Sequence, residues 1–169
     1  VPGPADTSTA PDVPVLPPVA DQAERLVALG VHGLAGLSAD ELRDEAARLT
    51  ATHDAGGALL VVAHPPAPPS VLAPLMRLPV RGSERSGFVV EDMTDVDDFT
   101  PIDGLDVPAS PLYLVVSPDR GDDLANWSPD EALPELARRG RTPLLTAEGI
   151  HWALHRRWPG AGPGRGWRG

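Results

Sequence analysis

The residues of this chain best able to do chemistry are carboxylates. Glu91, Asp92, Asp95, Asp97 and Asp98 lie close together, and Asp103 and Asp106 follow. Hard cations such as Mg²⁺ and Ca²⁺ take several oxygen ligands from a short loop, so Asp92, Asp95 and Asp97 form a candidate metal set. The spacing is not that of an EF-hand, because no glycine follows the third acid and no glutamate closes the loop. A structural reading competes and is the stronger. Thr94 can cap a short turn, with Asp95 and Asp97 in the first turn, where the helix dipole favours negative charge. Val96 and Phe99 would then be its buried side.

His151 and His155 stand four apart on an expected helix and share a face, as a two-histidine metal clamp requires. The residues between them lack the glutamate of a zinc protease, and no third ligand is evident, which favours a structural or surface role. His64 ends an apolar run and is the better single candidate, since ligands often sit just beyond strand C-termini in α/β sheets. Without a visible partner, a lone histidine there is usually just solvated. Arg120-Gly121-Asp122 is an adhesion-like tripeptide that reads as turn chemistry. Trp127, beside a helix-capping serine, is expected to pack across the helix start. His64, Arg120, Asn126 and Trp127 are the candidate contacts to a ligand or partner. No phosphate loop, dinucleotide fingerprint or Gly-x-Ser-x-Gly elbow occurs, so no cofactor is named.

The elements that must position these residues are set by length and composition. The 169 residues suffice for one ordinary domain. The 21 prolines and 17 glycines are concentrated at the ends. Six prolines fall among the first eighteen residues, and the segment after Trp158 is rich in glycine and arginine. Residues 1–18 and 159–169 therefore read as disordered tails and 19–158 as one α/β domain. There is no lysine, and the bias toward Ala, Gly, Pro and Arg is that of a GC-rich genome. The net charge is −10, yet the segment from Arg138 onward is basic. The acidic body repels nucleic acid and anionic membranes, and only the C-terminal end could attract them. Cysteine is absent, which excludes disulfides and thiolate metal sites. No signal peptide or membrane span is visible, so a cytoplasmic location is expected.

Hydrophobic spacing predicts helices near 22–29, 39–53, 129–139 and 147–157. Asp21 can cap the first, and Gly30 stops it. Ser38 and Glu41 form a capping box for the second, as do Ser128 and Glu131 for the third, with Pro129 at N1. Arg138-Arg139-Gly140 is a basic last turn with a glycine stop, and Pro134 sits awkwardly inside. Ala58–Ala63 reads as a buried strand, Phe88–Val90 as a second and Leu112–Val116 as a third. Ser70 to Arg77 suits a short helix limited by Pro74, and Gly82 to Gly87 a polar turn. Strands separated by helical stretches suggest a small three- to four-stranded mixed or parallel sheet, with α+β left open. The last helix, with Ile150, Leu154 and Trp158 on one face, is expected to be only partly covered.

The runs Gly87–Asp97, Leu112–Val115, Asp119–Asp122, Asn126–Leu133 and Arg139–Leu144 together resemble an uncharacterised actinobacterial family, a domain of unknown function (DUF5701-like). The likeness covers roughly residues 22–153, and Asn126-Trp127-Ser128-Pro129-Asp130-Glu131 is its most specific part. It implies a cytoplasmic bacterial protein and supplies no reaction and no catalytic residues. It also implies a further segment beyond the last helix, rich in tryptophan, glycine and cysteine, from which this chain departs after about Leu154, as a truncated or altered C-terminus would.

The leading functional expectation is a non-enzymatic binding or accessory module. Its partner would be another protein or a second copy of the chain, with Trp127 and Trp152 as anchors where exposed. One alternative is a metal-assisted enzyme using Asp92, Asp95 and Asp97 with His64. The other is nucleic-acid binding through the Arg-rich C-terminus, the less favoured partner class.

Overall fold

The computed structural model describes residues 16–53, 56–63 and 66–155. His64, Trp158 and most of both tails therefore lie outside the described residues.

The chain opens with a helical layer. Helix α1 spans Val19–Ala28 and is followed by the single turn α2, Val31–Leu34. Gly30 between them takes the left-handed conformation (φ 74°), which a glycine adopts without strain. α1 begins two residues before the expected Asp21. Pro18 occupies its N-cap with no side-chain hydrogen bond, and Asp21 lies inside the first turn. Helix α3 spans Ala39–Thr52 and starts on the expected capping box. The Ser38 hydroxyl accepts from the Glu41 amide (3.2 Å), and the Glu41 carboxylate accepts from the Ser38 amide (2.8 Å).

Strand β1 is Leu59–Val62 and is buried along its whole length. A one-turn helix α4, Pro69–Leu72, follows and tightens into a 3₁₀ turn at Ala73–Leu75. Pro74 stops it there, so the expected helix over 70–77 is cut short. The chain then makes a hairpin that the sequence did not announce. β2 (Arg77–Val80) pairs antiparallel with β3 (Ser83–Ser86). Arg81 (φ 45°) and Gly82 (φ 83°) both have positive φ, the requirement of a two-residue I′ turn. Gly87 lies so close to Ala73 that a methyl group would collide with the Ala73 carbonyl oxygen, so a glycine lets the hairpin pack against the 3₁₀ turn.

Phe88–Val90, the expected second strand, is not a strand, and Phe88 is 75% exposed. A short 3₁₀ turn at Val96–Asp98 buries Val96 as expected but leaves Phe99 exposed. Strand β4 is Leu112–Val115. Helix α5 spans Pro129–Arg138, and helix α6 spans Thr146–His155.

The fold class is α/β, with two sheets of two strands each in place of one sheet of three or four. Both pairs are antiparallel, whereas a parallel or mixed sheet was expected. The reason lies between β1 and β4. A parallel return usually runs through a full crossover helix packed on the sheet. This stretch offers only the four-residue α4, the hairpin and irregular loop.

The β1–β4 ribbon divides the core by the two-residue alternation of strands. Leu60, Val62 and Leu112 face α1 and α3 and pack with Leu26, Leu42 and Ala46. Leu59, Val61 and Tyr113 face the other way and pack with Trp152. Burying a leucine of this kind contributes about 1.5–3 kcal/mol, so the layers α1, α3 and α6 hold the small ribbon in place.

Helix α6 corrects an expectation. Of the expected stripe Leu154 is buried and Ile150 half-buried, with Trp158 outside the described residues, and His151, Trp152 and His155 are buried as well, so Trp152 is not a surface anchor. The inward face of the helix includes polar residues, which hydrophobic spacing alone could not assign to the core.

Candidate functional site

The β1–β4 ribbon has two edges, and they are treated differently. In the register Leu60↔Leu114 and Val62↔Leu112, the Ala63 amide donates to the Pro111 carbonyl. By alternation Leu59, Val61 and Ala63 bond to β4, and Leu60 and Val62 point outward. On β1 those outward groups are met by side chains. Gln22 of α1 accepts from the Leu60 amide (2.8 Å) and donates to the Ala58 carbonyl (2.8 Å) and the Pro17 carbonyl (2.8 Å). The Nε2 of His151 on α6 accepts from the Val62 amide (3.2 Å), and its Nδ1 donates to the Ala147 carbonyl (2.8 Å). His155 lies by the Leu60 carbonyl, with neither ring nitrogen in a well-formed hydrogen bond among the described residues.

These histidines are the pair read from the sequence as a clamp, and they have become part of the core. Burial pushes the His151 imidazole down to about 4. Burial, with the neighbouring His151 and Arg25, pushes His155 down to about 3. Both are neutral at pH 7, and the one free lone pair of His151, on Nε2, is taken up by the Val62 amide, which leaves none for a metal.

The opposite edge of the ribbon, on β4, lines a cleft of about 830 Å³. The cleft is walled by residues 105–108 on one stretch of chain and by Arg139–Leu145, between α5 and α6, on another. Its floor carries a polar pair. The Tyr113 hydroxyl donates to Glu148 Oε1 (3.0 Å), and Glu148 Oε2 accepts from the Leu145 amide (2.7 Å) at the start of α6. Burial, reinforced by the Glu148 charge, pushes the Tyr113 hydroxyl well above its ordinary value, so it stays protonated. Arg139 is held by Asp123 and Glu135, and Arg120 by Asp122. Hydrogen bonds to Arg138 and Arg139 draw the Glu135 carboxyl down to about 2. Arg141 donates to the Ser117 carbonyl (2.8 Å) and has no carboxylate partner among the described residues.

Of the residues singled out from the sequence, Arg120 lines this cleft, whereas Asn126 and Trp127 do not. Asn126 adopts a left-handed turn (φ 76°), and Trp127 is half exposed before α5. There the Ser128 amide and hydroxyl both donate to the Glu131 carboxylate. The acidic set is not drawn together. The Asp97 carboxylate accepts from the Ser70 amide (2.9 Å) and from the Ser70 hydroxyl, tying the 3₁₀ turn to α4. Asp92 and Asp95 are exposed. Among the described residues no three His, Asp or Glu side chains converge as a metal-binding group. His64 lies outside the described residues, so its relation to these carboxylates is not part of the geometry. The sequence reading missed Gln22, Tyr113, Arg141 and Glu148. The one available signal was that Gln22 is the only glutamine in the chain, set on an otherwise apolar helical face.

The fold and the cleft together define a small helix-flanked α/β protein whose ribbon is sealed on one side and open on the other. No helix among the described residues is long and apolar enough to cross a membrane. The chain belongs to a family of unknown function (DUF5701), whose model matches residues 25–159. Neither a curated protein nor a solved structure matches it.

Proposed function

We propose that this chain is a non-enzymatic protein-binding module and that the cleft beside β4 is its contact surface. One observation carries the reading. Most polar side chains of the cleft are committed to partners within the chain, Arg141 and Asp106 standing apart, while apolar surface is left open around them. Tyr113, Glu148 and the Leu145 amide form a closed chain of hydrogen bonds, and Arg120 and Arg139 have carboxylate partners. Val116 in the same cleft is 52% exposed, and Leu114, Leu136 and Leu144 are half-buried. A contact surface needs apolar area with a few fixed polar groups, and a catalyst needs a group free to take or give a proton.

The partner in this reading is another protein, and the setting is the cytoplasm of an actinobacterium. The Arg-rich, lysine-free composition supports the latter. Metal-assisted chemistry at Asp92, Asp95 and Asp97 with His64 has against it the commitment of Asp97 to Ser70. Nucleic-acid binding has against it the pairing of Arg138 and Arg139 with Glu135.

The test is selection of a displayed library of random linear peptides on the whole chain. Selected peptides are expected to lose binding to the Val116→Glu variant and to keep it with Leu78→Glu on the separate hairpin. Selection of no peptide, or of peptides indifferent to Val116→Glu, overturns the reading.

A further inference from the structure

We infer that the outer edge of β4 takes up an extended segment of a partner protein as an added strand, with a carboxylate of that segment held by Arg141. This rests on the reading of the cleft as a protein-contact surface and specifies how the contact is made.

The backbone alternation that points Leu60 and Val62 away from β4 also points Leu114 away from β1. No hydrogen bond reaches the amide or carbonyl of Leu114, or the amide of Val116, among the described residues. Leu112 is the exception on this edge, since its amide has the Ser110 hydroxyl at 3.4 Å. An unpaired strand edge is a template for another strand, and proteins blunt such edges when they are not used. The same ribbon shows what blunting looks like, for on its β1 edge the Ala58 carbonyl and the Leu60 and Val62 amides are capped by Gln22 and His151. At Leu114 and Val116 the β4 edge has no such caps among the described residues, and it opens into the cleft.

The ends of the register are set by the chain itself. Pro111 precedes β4, and Ser117 leaves the extended region (φ 49°) just after it. The added strand is therefore short and centred on Leu114. Arg141 donates to the Ser117 carbonyl at the end of that register, so its guanidinium stands beside the path of the incoming segment. Arg139 and Arg120 face carboxylates of the chain itself, which leaves Arg141 as the cleft arginine able to take one from outside. A carboxylate-bearing extended segment is the occupant that satisfies both the bare backbone groups and this arginine. A folded second copy fits less well, since its own β4 stands between the same two walls.

The probe is a peptide selected on the chain, resynthesised with one backbone N-methyl group walked along it. The expected result is a loss of binding of roughly tenfold at alternate positions, those whose amides donate to the outward carbonyls of the β4 edge such as that of Leu114, and little change between them. The Leu114 and Val116 amides should become slow to exchange in the complex. Arg141→Gln should weaken a peptide bearing Asp or Glu by about two- to fivefold and leave its Gln or Asn analogue unaffected. A flat N-methyl scan on a peptide that still fails to bind Val116→Glu overturns strand addition and leaves the contact surface standing. Failure to select any peptide that senses Val116→Glu overturns both. Protection of the Leu114 amide in the free chain, rising with protein concentration, makes a second copy the occupant and overturns the peptide proposal.

Discussion

The two edges of one short ribbon present the same chemical problem and meet it in opposite ways. The β1 edge buries its outward amides and carbonyls and must satisfy them, because an unpaired buried backbone group costs about 1–3 kcal/mol. At the Ala58 carbonyl and the Leu60 and Val62 amides it does so with an amide and an imidazole contributed by α1 and α6. The β4 edge leaves Leu114 and Val116 bare beside a cleft, where water meets the same need at no structural cost. The difference lies in what stands next to each edge. A strand lying under helices needs side-chain caps, and a strand at a cleft does not. Only the second keeps its backbone available to a partner.

The largest expected effect tests the sealed edge. Gln22→Leu keeps the size of the side chain and strips two buried backbone groups of their partners, so it should destabilise by about 3 kcal/mol. Urea unfolding reads this directly, and a loss under about 1 kcal/mol would mean that Gln22 is replaceable and the edge not sealed by it.

The second test is pH. His151 is held neutral in the fold, with its value lowered from 6.5 to about 4. The unfolded chain therefore binds a proton that the folded chain refuses, and stability is lost as pH falls through 6.5 and on toward 4. The loss should reach about 2 kcal/mol by pH 5, at about 1.4 kcal/mol per pH unit. His155 adds to it in the same direction. A His151→Gln variant should remove about half of the slope between pH 6.5 and 4 and leave the share of His155, and an unchanged slope would place the titration elsewhere.

A smaller effect separates neighbouring residues of β4. Proline at position 115 removes a bond to β1, whereas proline at 116 removes an amide hydrogen that bonds to nothing among the described residues. Val115→Pro should therefore cost about 1 kcal/mol more than Val116→Pro. Equal costs would show that Val116 is paired. The smallest effect is on stability at the open edge itself. Val116→Lys, at a half-exposed site, should stay within about 0.5 kcal/mol of the parent, and a larger loss would mean that the cleft is filled from within.

Much of the frame was legible in the sequence because local chemistry dictated it. Ser38 with Glu41 and Ser128 with Glu131 marked two helix starts, and the apolar runs at 58–63 and 112–116 marked both strands of the ribbon. The hairpin was not legible. Its turn is Arg81-Gly82 and lacks the usual Asn-Gly or Asp-Gly, β3 is polar and exposed throughout, and Pro79 sits in β2. Phe88–Val90 misled because β propensity reports fitness for a half-buried surface, and no partner strand covers that segment. The edges were illegible for another reason. Gln22 and Tyr113 each read as an ordinary residue of its own element and His151 as half of a clamp, and their roles arise from contacts across 35 to 89 positions of chain.

The Gln22 cap has a consequence for the order of events in folding. The β1 edge is complete only when a residue 36 to 38 positions earlier has arrived, and β1 itself needs β4 from the other half of the chain. Local contacts cannot build the ribbon first and dock a helix onto it later. Closing such distant loops before any reward is what slows a fold of high contact order. The ribbon and α1 should then form in one late step, and Gln22→Leu should accelerate unfolding more than it retards folding. A chevron in which the folding limb alone moved would instead place that glutamine in the nucleus.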